Sequence, residues 1–335
     1  MSPKIVTIGG GTGAPSIIKS LILAGFSNIQ AISTAMDSGG KTGTIRTDER
    51  DRVIAISDLF RNLLALIPPT GINSPQIQAF TDLVNYTDGR NRNLGYTLYY
   101  ALLEKYQNDF LQTQAHLEQL LNINFLGTAI PVTLESANLG FTTQTGSTHW
   151  GEHELDRLSM STDMVTDFYL DHPIKATKQA QIAIQNANYL IFCPGSFYGS
   201  VLANLLPEGI ISALNSSKAK KILITNLVSD RNQTHQIDLA NYLKLFDQYS
   251  HQNNLIDIVI CPHLSRRQFE AKYPRSARNY ATEHSHFLGW SNSEIKKLKK
   301  SDLSFLAADI FTITTRHRLR HDPTKLAHIF ETLIQ

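Results

Sequence analysis

The 335-residue chain is 42% hydrophobic and 18% charged, with 19 Gly and 12 Pro, which excludes a disordered, collagenous or coiled-coil protein and leaves room for a large core. Two cysteines, Cys193 and Cys261, cannot build a disulfide framework or a four-cysteine zinc site, so no structural zinc and a reducing, cytoplasmic setting are expected. The net charge of +2 gives no footprint for nucleic acid, and no apolar run reaches the ~18 residues of a membrane span, so neither is an expected partner.

In chain order, Lys4 to Ile8 is a short β-branched run that meets Gly9, Gly10 and Gly11 at once. That pattern is a buried parallel strand opening into a tight turn, and the glycines cut the apolar stretch too early for a signal peptide. Ala14 to Phe26 reads as a helix, with Pro15 in its first turn and Gly25 at its stop. Ile29 to Thr34 reads as the next strand, which completes a βαβ unit with a right-handed crossover. A polar loop runs from Met36 to Arg52, and its length marks it as functional.

Ser57 caps a predicted helix through Leu66, and Pro68-Pro69 ends it. Helical patterns over 75–84, 95–106 and 108–122 give a helical insertion spanning 67–125. Residues 128–150 alternate apolar with Thr, Ser and Gly, as a hairpin or small sheet would. The βα rhythm then returns: a helix near 176–186, a strand at 189–193, a helix from Tyr198, strands at 221–225 and 256–261, a strand within 301–315 and a helix over 323–334. The fold class expected is α/β, Rossmann-like and doubly wound, with a mostly parallel sheet, the helical insertion and a small β-hairpin region. It is read as a single domain over 1–335, completed by a basic C-terminal segment, 263–335.

Four stretches could carry chemistry. Gly9-Gly10-Gly11-Thr12-Gly13-Ala14 fits G-x-G-x-x-A between a strand and a helix, where backbone N–H groups and the helix dipole hold phosphate. The loop from Asp37 to Arg46 contains Gly40-Lys41-Thr42 but has Ala35 where a Walker A motif needs glycine. Asp37, just past strand two, also fits the ribose-binding carboxylate of a dinucleotide enzyme, which keeps an NAD-dependent oxidoreductase as the alternative. Asp58-Leu59-Phe60-Arg61-Asn62 opens a helix, where an Asp often only complements the dipole. Cys193-Pro194-Gly195-Ser196-Phe197-Tyr198-Gly199-Ser200 ends another strand, at the rim where ligands of such sheets bind, and it lacks the G-x-S-x-G of a hydrolase. The histidine pairs His149/His153 and His284/His286 do not make a zinc motif. Residues 256–335 hold 13 Lys/Arg against 8 Asp/Glu, and the run Arg316 to Arg320 could reach a ligand phosphate.

Seven blocks in order resemble the CofD-like superfamily, nearer its YvcK branch: KIVTIGGGTG, MDSGGKTGTIR, SDLFRNLLAL, GYTLYYALL, AIPVTLESANL with GEHEL, NYLIFCPGSFYGSVLANLL and ILITNLVSD. The resemblance implies a nucleotide-binding crevice. Its transferase members move a phospholactyl group from a guanosine diphosphate-linked donor to a deazaflavin alcohol using Mg²⁺. Its YvcK-type members bind UDP-sugars and regulate carbon metabolism and cell-wall synthesis.

On this reading Gly9 to Gly13, Lys41, Thr42, Arg61, Asn62, Gly195, Ser196, Tyr198 and Asn226 hold the nucleotide or UDP-sugar ligand. Asp37 and Asp58 are the candidate catalytic and Mg²⁺-binding carboxylates. Departures from the family pattern are Ser38, where a second carboxylate is usual after Asp37, Tyr99 and Tyr100 in the GYTLYYALL block, and Leu227, Val228 and Ser229 after Asn226. A homodimer stays open.

Overall fold

The computed structural model describes residues 2–36, 54–90, 92–155, 163–229, 233–234, 237–298 and 303–335. Its centre is a seven-stranded parallel sheet. In chain order these strands are β1 (Ile5–Ile8), β2 (Ile29–Ser33), β3 (Gly127–Pro131), β7 (Tyr189–Phe192), β8 (Lys220–Ile224), β9 (Ile258–Pro262) and β10 (Ser304–Ala308). They lie in the order β10-β9-β8-β7-β1-β2-β3, so the chain works outward from β1 to one edge and then restarts at β7 and works outward to the other. Every pairing in this sheet is parallel, from Val6↔Gln30 on one side of β1 to Val6↔Leu190 on the other.

This arrangement follows from the strand composition. Ile5 to Ile8 and Ile258 to Pro262 are buried at every position, as strands covered by helices on both faces must be. β10, at one edge, alternates between exposed and half-buried positions instead. Three helices cover the face nearest the glycine loop. α1 (Gly13–Leu23) packs against α2 (Ser57–Ala65) and against the C-terminal α13 (Pro323–Leu333).

The helical insertion between β2 and β3 holds α3 (Pro69–Ile72), α4 (Pro75–Asn85), α5 (Leu94–Lys105) and α6 (Phe110–Leu121), close to the predicted bounds. Side-chain caps from Ser74, Asn93 and Asp109 start the last three.

Several elements depart from the sequence reading. Residues 127–131 are the edge strand β3 of the main sheet rather than part of a hairpin. The small antiparallel sheet is β5-β4-β6, built from β4 (Leu139–Thr143), β5 (Thr148–Trp150) and β6 (Val165–Leu170). No helix of the α type starts at Tyr198; Phe197–Val201 forms a single π turn followed by a 3₁₀ turn, Leu202–Leu205. The stretch 301–315 holds two strands, β10 and β11 (Phe311–Ile313), the latter paired antiparallel with β12 (Leu319–His321). Five helices without a strong sequence signal complete the second half with α7 (Lys178–Asn186): α8 (Ile210–Ser216), α9 (Leu239–Ser250), α10 (Arg266–Lys272), α11 (Pro274–Ala281) and α12 (Asn292–Leu298). No helix among the described residues is long and apolar enough to cross a membrane.

Candidate functional site

The sheet reverses its winding direction between β1 and β7, and the loops that leave these two strands share one rim. They touch through backbone. A Cβ at Gly13 would lie 1.9 Å from the Pro194 carbonyl oxygen, and one at Gly195 would lie 3.2 Å from the Gly10 oxygen. Below them, a Cβ at Gly9 would come within 2.9 Å of Cys193 Cβ. Gly11 has φ +65°, a left-handed conformation that glycine adopts freely, and this turns the chain into α1.

The start of α1 is open to an anion. Thr12 is its N-cap residue but makes no side-chain capping bond, and no acidic residue stands in the first turn. Ala14 N–H turns back to the Gly10 carbonyl at 3.4 Å, so what the helix start offers an anion is its positive dipole end and the amides ahead of Ala14. Thr12 is exposed and Gly13 is half-buried.

The second loop is braced from outside. Gly195 N–H donates to Asn226 Oδ1 at 3.0 Å, and Asn226 Nδ2 donates back to the Gly195 carbonyl at 2.8 Å. Ser196 caps the π turn by accepting from Gly199 N–H, and its hydroxyl donates to Gln233 Oε1 at 3.1 Å. Gln233 Oε1 also accepts from Tyr198 N–H. Ser196 thus shapes the turn, and its proton is directed at Gln233 rather than at a ligand. Tyr198, expected at the ligand, is instead 2% exposed, with its ring against Phe168 and Phe197. Burial pushes its phenol above the ordinary range. The Cys193 thiol is raised for the same reason, and the side chain is buried in the core just past β7.

Asp58, in the first turn of α2, is 3% exposed and lies under the loop, where it would be 1.8 Å from a Cβ on Gly10. Its Oδ2 accepts from Ser200 Oγ at 3.3 Å, and its Oδ1 faces Arg61 Nη1 at 3.3 Å. Arg61 is thereby held over the Tyr96 ring, 5.6 Å from its centroid. Asn62, fully buried, donates to the Gly9 carbonyl at 3.2 Å. The Asp-x-x-Arg-Asn block therefore supports the glycine loop from below. In this geometry Asp58 and Asn62, read from the sequence as a catalytic carboxylate and a ligand contact, brace the glycine loop and Arg61.

Of the two carboxylates expected to hold Mg²⁺, Asp58 and Asp37, the described residues include Asp58 alone. They contain no group of three His, Cys, Asp or Glu side chains placed to hold a metal, and one oxygen of Asp58 already faces a guanidinium. Asp37, Lys41 and Thr42 lie outside the described residues.

Two clefts flank the start of α1, and both reach Thr12 and Ser16. The smaller, about 230 Å³, is bounded by Gly13, Gly195, Asn226, Tyr280, Arg320 and His321. The larger, about 710 Å³, begins at Gly11, Thr12 and Arg61 and runs along α1. Among the described residues neither lining contains Asp or Glu. Arg320 comes from the basic run 316–320, while its neighbour Arg318 pairs with Glu283 away from the clefts. Sequence reasoning missed Ser200, Gln233 and His321. Ser200 sits inside the fourth motif and could have been read with it, whereas Gln233 and His321 belong to no motif.

Residues 5–310 match the CofD family, described as 2-phospho-L-lactate transferase CofD. A Thermotoga maritima protein assigned as a gluconeogenesis factor is 28% identical over 98% of this chain and 99% of its own length. The Listeria innocua gluconeogenesis factor is 29% identical over 74% of each chain. A crystal structure of a UPF0052 family member from Bacillus halodurans superposes with a TM-score of 0.81 at 22% identity, covering 97% of this chain and 98% of that one, and so shares its fold. The sheet order, the glycine loop and the match over nearly the whole length agree: the chain belongs to the CofD family.

Proposed function

We propose that this protein binds a ligand linked to a nucleoside diphosphate, of the UDP-sugar or guanosine diphosphate type. The pyrophosphate lies between the Gly10–Gly13 turn and the Gly195-Ser196 turn. The observation that carries this reading is the contact of two backbone turns beside a helix start with no side-chain cap, flanked by Arg61 and Arg320 and, among the described residues, by no carboxylate in either cleft lining. Backbone N–H groups at a helix start, with arginines in reach, are the usual protein complement of phosphate.

Binding without turnover is the better-supported role. Ser38 replaces the second carboxylate usual in the family loop, and Asp58 has its two oxygens turned to Arg61 and Ser200. A regulatory protein, in the sense of the name its Listeria relative carries, fits these residues better than a metal-assisted transferase. None of the relatives named above is a dehydrogenase, and the oxidoreductase alternative gains nothing from them.

Calorimetric titration with UDP-sugars, GDP and GTP, with and without Mg²⁺, tests the reading. Saturable binding that weakens in Arg61→Met and Arg320→Met is expected. No heat with any of these ligands at millimolar concentration would overturn it.

A further inference from the structure

We infer that the larger cleft binds the aliphatic part of a phosphate ester, so that the protein accepts an alkyl or prenyl phosphate with its head at the glycine loop. The inference rests on the anion reading of that loop and adds a ligand class to it.

The cleft has a charged end and an apolar body. At its head lie Gly11 and Thr12, the open start of α1 and the Arg61 guanidinium. From there it follows α1 to Leu23, eleven residues further, or about 16 Å at the helical rise. The walls are aliphatic: Ile22 and Leu23 of α1, Leu64 of α2, Ile67, Ile72 of α3 and Ile77 of α4. Lys19 is the second cation of the lining, and every other side chain in it is uncharged.

Three features select the occupant. Among the described residues the lining includes no aromatic ring for a nucleobase to stack on, whereas a saturated or isoprenoid chain meets six Ile and Leu side chains, with Thr81, Asn85 and Thr324 at the margins. The volume of about 710 Å³ falls within the range of small-molecule sites and is too large to be filled by a phosphate alone. Finally, Leu23 and Ile72 stand 51% and 47% exposed at this cleft, an apolar surface that a ligand chain would cover. Arg61 at the head complements the charge of a phosphate monoester, Lys19 stands about two turns further along α1, and the absence of Asp and Glu from the described lining removes repulsion.

The test is a homologous series of n-alkyl monophosphates, butyl, hexyl and octyl, titrated into the full chain below their micelle concentrations. Inorganic phosphate and the matching alcohols are the controls. Affinity is expected to rise about two- to fourfold for each added methylene, since each buried methylene contributes the equivalent of that factor. The alcohols should bind weakly, having no group for the loop.

In the double variant Leu23→Asn, Ile72→Asn, whose positions are half-exposed and leave the core intact, the rise should flatten while inorganic phosphate binding is unchanged. An affinity independent of chain length, a slope unaltered in the double variant, or no binding of any alkyl phosphate would each overturn the inference. GDP and UDP titrations run alongside separate it from the nucleotide reading. Nucleotide binding with a flat alkyl series sinks only the aliphatic site, and a rising alkyl series without nucleotide binding sinks only the nucleotide.

Discussion

Gly13→Ala isolates the contact between the two turns. A Cβ there would sit 1.9 Å from the Pro194 carbonyl oxygen and 2.7 Å from its carbonyl carbon, against the 3.4 Å of ordinary van der Waals contact. The obstacle is backbone, which cannot rotate away, so the turns must part by about 1.5 Å. Gly13 is the first residue of α1 and its φ is not positive, so alanine costs nothing in backbone strain and would by itself favour the helix by up to ~1 kcal/mol. Any loss therefore reports the separation. Overpacking of this kind costs ~1–3 kcal/mol of stability. If separation removes two of the amide donors that grip a diphosphate, each worth roughly 1.5–3 kcal/mol to a charged acceptor, affinity falls roughly 10²- to 10⁴-fold.

Calorimetry with GDP or a UDP-sugar measures the affinity, and urea unfolding measures the stability. Gly195→Ala, facing the Gly10 oxygen at 3.2 Å, should show a smaller loss of both, and Gly89→Ala, with nothing within 4 Å, none. A folded Gly13→Ala protein that binds within about twofold of wild type would refute the shared-nest argument.

His321 is buried to 9% exposure at the edge of the smaller cleft, and its Nε2 donates to the Thr225 carbonyl at 3.1 Å; desolvation lowers its pKa to about 4. Because the folded value lies below the unfolded one, its contribution is present above pH 6.5 and is lost as the pH falls toward 4. The loss between pH 7.5 and 4.5 is on the order of 2–3 kcal/mol. Urea unfolding of His321→Gln, which keeps a donor without a titrating ring, should lack that part of the pH slope, and an unchanged slope would exonerate His321. Ser196→Ala removes a cap and the bond to Gln233, so stability should fall by ~1 kcal/mol, with affinity following only as far as the turn loosens. A large affinity loss at wild-type stability would instead place the hydroxyl on the ligand. Gly11→Val should lose binding, since φ +65° costs a side chain ~1–2 kcal/mol and the added methyls occupy the mouth of both turns; a wild-type titration would remove Gly11 from the site.

The first βαβ unit was legible because its signals are local. Ile5 to Ile8 has no polar position but Thr7, the glycines follow at once, and Pro15 and Gly25 bracket the helix. The directions of the Ser196 and Tyr198 side chains were not legible, because adjacency in a motif says nothing about direction. One hydroxyl turns to Gln233, thirty-seven positions away, and one ring turns into the core. Strand β3 looked like part of a hairpin since its Thr and Pro are as common in small sheets, and only pairing with Ile29 to Ser33 fixes its place. The π turn at 197–201 replaced an expected helix because Ser196 caps it while Gly199 lies over Glu152, where a Cβ would fall 1.9 Å from a carboxylate oxygen. The five unmarked helices include short pieces such as Arg266–Lys272, whose single buried side chain, Phe269, leaves little periodicity to read.

What the glycines prove is narrower than the motif suggests. Gly9, Gly13 and Gly195 are each accounted for by one chain pressing on another: Cys193 against Gly9, Pro194 against Gly13, and Gly10 against Gly195. Packing alone would demand them with no ligand at all. The case for an anion comes instead from features that packing does not require. Thr12 leaves the helix start uncapped, although Ser74, Asn93 and Asp109 show that this chain caps helices elsewhere. Arg61 is held by a buried carboxylate on its far side and leaves about a third of its side chain to the cleft. Arg320 arrives from β12, at the opposite end of the sequence, to stand beside Gly13 and Gly195. The start of α1, the outer side of the Asp58-paired Arg61 and Arg320 bring positive potential from distant segments to two backbone turns, which is the field that an anion seated among them would meet.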